Sequence, residues 1–151
     1  LFLQTFLIVF YYSESRFIMA ASDTNSNEHF GYEVIRDYLL PEILGPHETE
    51  ILYWAGKSIA RKFPLYSMEE APDFFSSASF GELTLEKASK DETIYTLIPS
   101  KIENRCFKLE AGFLAQQKQK LDGFLTEAHE EVFQKKNLVR ITLKTDLRER
   151  V

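Results

Sequence analysis

The sequence predicts an α+β domain, with helices leading, and three observations carry that expectation. Apolar residues recur at helical spacing over residues 28–63. The pattern turns to alternation around Leu83–Lys87 and Ile94–Ile98. Helical spacing then returns after Cys106, and a clean alternating run at Val139–Leu143 closes the pattern.

The chain has 151 residues, enough for one domain with a real core. Charged and apolar contents sit near globular averages, which argues against wholesale disorder. A net charge of −5 argues against general binding to nucleic-acid phosphates, which needs a cationic surface. The single cysteine cannot form an internal disulfide and fits a reducing compartment. The 13 phenylalanines suit either a packed core or a greasy cavity.

Residues 1–27 read as a segment outside the domain. "LFLQTFLIVFYY" is apolar but shorter than the ~20 residues of a membrane span. No basic region precedes it, as a secretory signal would require, although "MAA" offers small residues that could mimic a cleavage site. "SESR" can be written with purine-rich codons, as a ribosome-binding site would be, and Met19 opens the polar tail "AASDTNSN". The expectation is that translation starts at Met19 and that residues 1–18 are read-through.

Residues 20–27 read as a flexible lead, with Asn25, Ser26 and Asn27 as helix caps. Phe30, Val34, Ile35, Tyr38 and Leu39 predict an apolar face on a first helix, roughly Glu28–Leu44, which Pro41 bends or ends early. Gly45-Pro46 breaks the chain. In the next helix Glu48 and Glu50 suit the N-terminus, and Lys57, Arg61 and Lys62 lie toward the C-terminal end. Leu52, Ala55, Ile59 and Phe63 share a face, and the small Ala55 and Gly56 allow close approach. "SMEEAPDFFSSAS" predicts a short or irregular third helix, with Ser67 and Glu70 matching a capping box and Pro72 past the first turn.

"FGELTLEKASKDETIYTLIPS" predicts a β-hairpin linked through Ser89–Glu92. "ENRCFKLEAGFLAQQKQKLDG" returns to helix. Phe107, Ala111, Leu114 and Leu121 form one face, Gln116, Gln117, Lys118 and Lys120 the wet side, and Gly123 the C-terminal stop. "TEAHEEVFQ" has helix-forming residues, yet Ala128 and Val132 also alternate with Glu127, His129 and Glu131. The last residues, 147–151, read as a frayed tail.

Three features in order resemble a known family: paired helices with "YWAGKSIARKF" in the second, "FFSSASFGELTL" with Phe80-Gly81 opening a strand, and "CFKLEAGFLAQQKQKLDGFLTEAHEEVFQKKNLVRITL". Together, over residues 28–146, they resemble the vinyl-reductase-like domain, and within it the YslB-like proteins of Gram-positive bacteria. The superfamily also holds subunits of the TRAPP vesicle-tethering complex. The resemblance implies an α-α-α-β-β-α-β-β order, with helices on one side of a twisted antiparallel sheet of about four strands. It therefore favours a strand over residues 125–134. It also implies a domain that binds a hydrophobic small molecule or acts as a dimeric scaffold. Some relatives carry metal-suited cysteines near the C-terminal strands or an acylated cysteine after the second helix. This chain has no cysteine at either place, so no functional residue transfers.

Candidate sites are few. Cys106 lies near a helix start with Lys101 and Arg105 close in sequence, an arrangement that can activate a thiol, though a lone cysteine is also an ordinary small buried hydrophobe. His29, His47 and His129 show no ligand spacing, so no metal or other cofactor is expected. No Gly-rich phosphate loop or Gly-x-Ser-x-Gly elbow is present. Trp54, Phe74, Phe75, Phe80 and Phe113 are the candidate lining of an apolar pocket, against the plainer reading of a filled core. The expected function is non-enzymatic: a cytoplasmic homodimer that binds a hydrophobic small molecule or a protein partner through its helical layer. The alternatives are a ligand-free adaptor dimer and, last, a thiol enzyme using Cys106.

Overall fold

The computed structural model describes residues 24–151. The apolar run, Met19 and the lead up to residue 23 lie outside the described residues. Helical backbone begins at Thr24, so Asn25, Ser26 and Asn27 fall inside α1 (Thr24–Glu33) rather than capping it. The helix then widens into a π-helical turn, Val34–Leu39, where the Leu40 N–H donates to Ile35 O. It continues as α2 (Leu40–Leu44) with Pro41 at its start. Proline lacks an N–H and its ring crowds the carbonyl four residues back. The wider turn relieves both problems, so Pro41 is absorbed without ending the helix. Residues 24–44 thus form one helical arm, closed by a 3₁₀ turn at Gly45–His47.

Next come α3 (Glu48–Lys62), a 3₁₀ turn at Met68–Glu70 and α4 (Ala71–Ser77). α4 is short, as expected, but Pro72 falls inside its first turn and not past it, where the missing N–H costs no hydrogen bond. The capping box does not form. Ser67 makes no side-chain cap, and Glu70 instead accepts the Tyr66 N–H at 3.1 Å. The hairpin pairs β1 (Glu82–Ala88) with β2 (Glu92–Ile98), Thr84 opposite Thr96. A bulge between Leu85 and Lys87 breaks the alternation, and Leu85 is exposed on the edge strand. α5 (Lys108–Asp122) ends at Gly123, whose φ of +75° is the left-handed stop the sequence predicts.

Residues Phe124–Phe133 form strand β3, which hairpins through Gln134–Lys136 into β4 (Leu138–Arg150). Helix propensity loses there because Thr126 to Phe133 complete a ladder with β4. β4 also runs past the point where fraying was expected, with Arg150 opposite Phe124. The sheet order is β1-β2-β4-β3, all neighbours antiparallel.

One face of the sheet meets the helices through Leu83, Tyr95, Leu97, Val139, Ile141 and Leu143, packed against Leu52, Phe75, Phe107, Phe113 and Leu114. The other face carries charged rows. Arg140 lies 3.6 Å from Glu86 and 4.0 Å from Glu131, and Glu92 takes both Lys87 and Lys144. Helices on one face and water on the other is the usual logic of an antiparallel layer. Within the helical layer α3 and α5 touch backbone to backbone. A Cβ on Gly56 would lie 2.1 Å from Leu109 O, and one on Gly112 would lie 2.1 Å from Tyr53 O. Gly56, predicted to allow close approach, therefore sits at this crossing, with Gly112 on the facing helix.

Candidate functional site

The predicted aromatic set divides. Phe74 stacks on Phe113 with centroids 4.3 Å apart, and Phe75 meets Phe80 edge-on at 5.3 Å. Phe80 and Phe75 also reach Phe113 at 6.5 and 5.9 Å. These four rings fill one another's contact surface at the base of the helical layer. Trp54 is not among them: it is 63 % exposed on α3.

Trp54 lines a shallow groove of about 270 Å³ with Tyr53, Lys108 and Glu127. Lys57 is buried behind it, its Nζ 2.8 Å from Glu127 and 5.0 Å from the Tyr53 ring centre. Tyr53 donates to Glu127 and accepts the Ala128 N–H at 3.0 Å. Burial and that carboxylate push the Tyr53 phenol up, so it stays protonated and keeps donating. The group is therefore a polar bolt between α3 and β3.

A larger groove, about 560 Å³, is lined by polar residues including His29, Asp73, Ser76, Ser79 and Ser100. His29 Nδ1 shares a hydrogen bond with Ser79 Oγ at 2.8 Å. The three histidines are not brought together: His29 lies here, His47 in the turn before α3 and His129 on β3. Among the described residues no three His, Cys, Asp or Glu side chains form a metal-sized group.

Cys106 sits two residues before α5, half-buried. Burial pushes its thiol up, and the nearby guanidinium of Arg36 does not reverse this. A raised thiol is a poor nucleophile. Its carbonyl does structural work instead, accepting Arg36 Nη2 at 2.7 Å.

The arm is where the sequence reading and the structure part. Phe30, Val34, Ile35, Tyr38 and Leu39, the predicted apolar face, are all exposed, as is Ile43. The opposite side of the arm faces inward and is largely polar. Arg36 is buried, with Nη2 2.7 and 2.9 Å from the carboxylate of the fully buried Glu110. Asp37 takes Arg105 through two bonds of 2.7 Å, and Glu33 takes Lys101 at 3.0 Å. Tyr32, Leu40 and Leu44 add partial apolar contact with the core. Burial pushes the Glu110 carboxyl up, against the pull of Arg36. These charges were missed by sequence reading. The one available signal was Glu110 itself, which interrupts the Phe107–Ala111–Leu114 face of α5.

The fold class is that of the vinyl-reductase-like α+β domains. A vinyl-4-reductase family protein from Methanocaldococcus jannaschii superposes with a TM-score of 0.55 at 19 % identity, over 63 % of this chain and 68 % of that one. Within that class the chain belongs to the family described as protein of unknown function (DUF2507), whose model matches residues 29–144. It is 42 % identical over 129 residues to the uncharacterized protein YslB of Bacillus subtilis (strain 168), covering 81 % of this chain and 87 % of that protein.

Proposed function

We propose that this chain is a non-enzymatic cytoplasmic interaction domain that works as a homodimer through the outward apolar face of its arm. The observation that carries the reading is the run of exposed Phe30, Val34, Ile35, Tyr38, Leu39 and Ile43 along one helical element. A contiguous apolar surface of this kind marks an interaction site. The arm is roughly 30 Å long at about 1.5 Å per residue, long enough for helix-against-helix pairing.

Charge favours a second copy over another occupant. Between Phe30 and Ile43 the exposed residues include only one charged side chain, Glu42. Two copies of a nearly neutral face meet without like-charge repulsion, although each chain carries −5. The ligand version of the function has less support, because Phe74, Phe75, Phe80 and Phe113 pack against one another. The thiol-enzyme version is disfavoured by the raised Cys106 thiol. Among the described residues no helix is long and apolar enough to cross a membrane, so the reading needs no span.

Native mass spectrometry of the chain purified from its own cells tests the proposal. A dimer without a co-purified small molecule supports it. A dimer carrying a lipophilic mass moves the function to ligand binding, and a monomer at every concentration rejects the homodimer.

A further inference from the structure

An amphipathic helix ordinarily buries its apolar side, because that side gains most from leaving water. The arm does the reverse. Its inward face is tied down by three ion pairs, Glu33–Lys101, Asp37–Arg105 and Arg36–Glu110. All three partners come from the short stretch 101–110 that leads into α5. Three acids meet three bases, so the cluster is balanced.

The arrangement is costly. Arg36 Nε and Nη1, Arg105 Nη1 and Tyr32 Oη are buried without a hydrogen-bond partner among the described residues. Buried ion pairs are seldom the most stabilising choice at a site, and their best-attested use is to fix register. The π-helical turn falls at the same place and carries both Arg36 and Asp37. Turns of this kind are concentrated at functional positions.

We infer that Arg36, Asp37, Arg105 and Glu110 are positioning residues for the interaction face: their buried pairs select the docking of the arm in which the apolar stripe points outward. This inference deepens the proposed function, because it concerns the same face. With the pairs removed, the arm turns about its axis and lays Val34, Ile35, Leu39 and Ile43 onto the domain. Partner binding would then be lost through masking, with every residue of the face still present.

The test is thiol labelling of Ile35→Cys in a Cys106→Ala background, at trace concentration, with sedimentation velocity alongside. In the otherwise native chain the new thiol labels fast. In Arg36→Met/Glu110→Leu it labels at least tenfold more slowly while circular dichroism shows a folded chain. Glu110→Gln, which keeps hydrogen bonds to Arg36, restores fast labelling. Should the first double variant fail to fold, Asp37→Leu/Arg105→Met makes the same comparison. Equal labelling in a folded apolar-pair variant and the native chain overturns the inference. A native chain that is monomeric at every concentration, with the labelling difference intact, rejects the homodimer and leaves the inference standing.

Discussion

The arm and α5 are both helices of the same layer, and they use their faces in opposite ways. α5 is buried nearly all round, including Glu110, Gln117 and Lys118, which its sequence marks as polar. The arm has the better apolar stripe and leaves it in water. The difference teaches that amphipathicity names two faces of a helix, and long-range partners decide which face turns inward. Gln117 shows this on α5. Its side chain accepts the Leu65 N–H at 3.1 Å and donates to Ala60 O at 3.3 Å and Phe63 O at 2.7 Å. It thereby satisfies backbone groups where α3 ends, a place that would otherwise hold orphaned carbonyls.

If the comparison holds, changes in α5 cost stability and changes on the outer arm cost association. The largest effect belongs to Phe113→Ala, which empties the centre of the ring cluster. A loss of about 3–5 kcal/mol is expected in chemical denaturation. Gly112→Ala comes next. Its Cβ would meet a backbone oxygen that cannot step aside, so α3 and α5 must part, costing about 3 kcal/mol in the same assay.

Ile35→Glu on the arm sharpens the contrast. Stability of the monomer, read at dilution, stays within about 0.5 kcal/mol, because the position is exposed in the single chain. Dimer association, read by sedimentation, weakens by about 2 kcal/mol, roughly a thirtyfold rise in Kd, because an unpaired charge enters the interface. A large loss of stability instead would mean the stripe is packed within its own chain. Gln117→Ala should cost about 1–2 kcal/mol through the backbone groups it leaves unpaired.

The smallest effect lies on the wet face of the sheet. Hydrogen bonds from Lys144 and then Lys87 hold Glu92 down at about 2. Its contribution is present above the usual carboxylate range and is lost as pH falls toward about 2. Glu92→Gln should flatten that part of the acid limb of a melting-temperature profile by lowering its neutral end slightly, while the profile below about pH 2 stays the same; the change is small because surface ion pairs contribute little.

Much of the fold was legible. The alternation at Ile94–Ile98 and Val139–Leu143 marks β2 and β4, and Gly56 marks the close crossing. β3 needed the family resemblance, because Thr126–Gln134 fits either period and only pairing with β4 decides. The candidate site was less legible. Ring partners such as Phe74 and Phe113 share a family-level neighbourhood, but Trp54 turns to water on the far side of the layer's contacts. The arm's orientation was not legible at all, since Arg36 and Glu110 are 74 positions apart and neither is conspicuous alone.

The central claim is that the outward stripe of the arm is covered by a second copy. Sedimentation velocity on the full chain and on Ile35→Glu/Ile43→Glu, each over a wide concentration range, tests it most directly. The account predicts a native dimer, a monomeric variant, and melting temperatures that match once the native chain is diluted to its monomer. A native monomer at every concentration, or a dimer that the two glutamates leave intact, would contradict it.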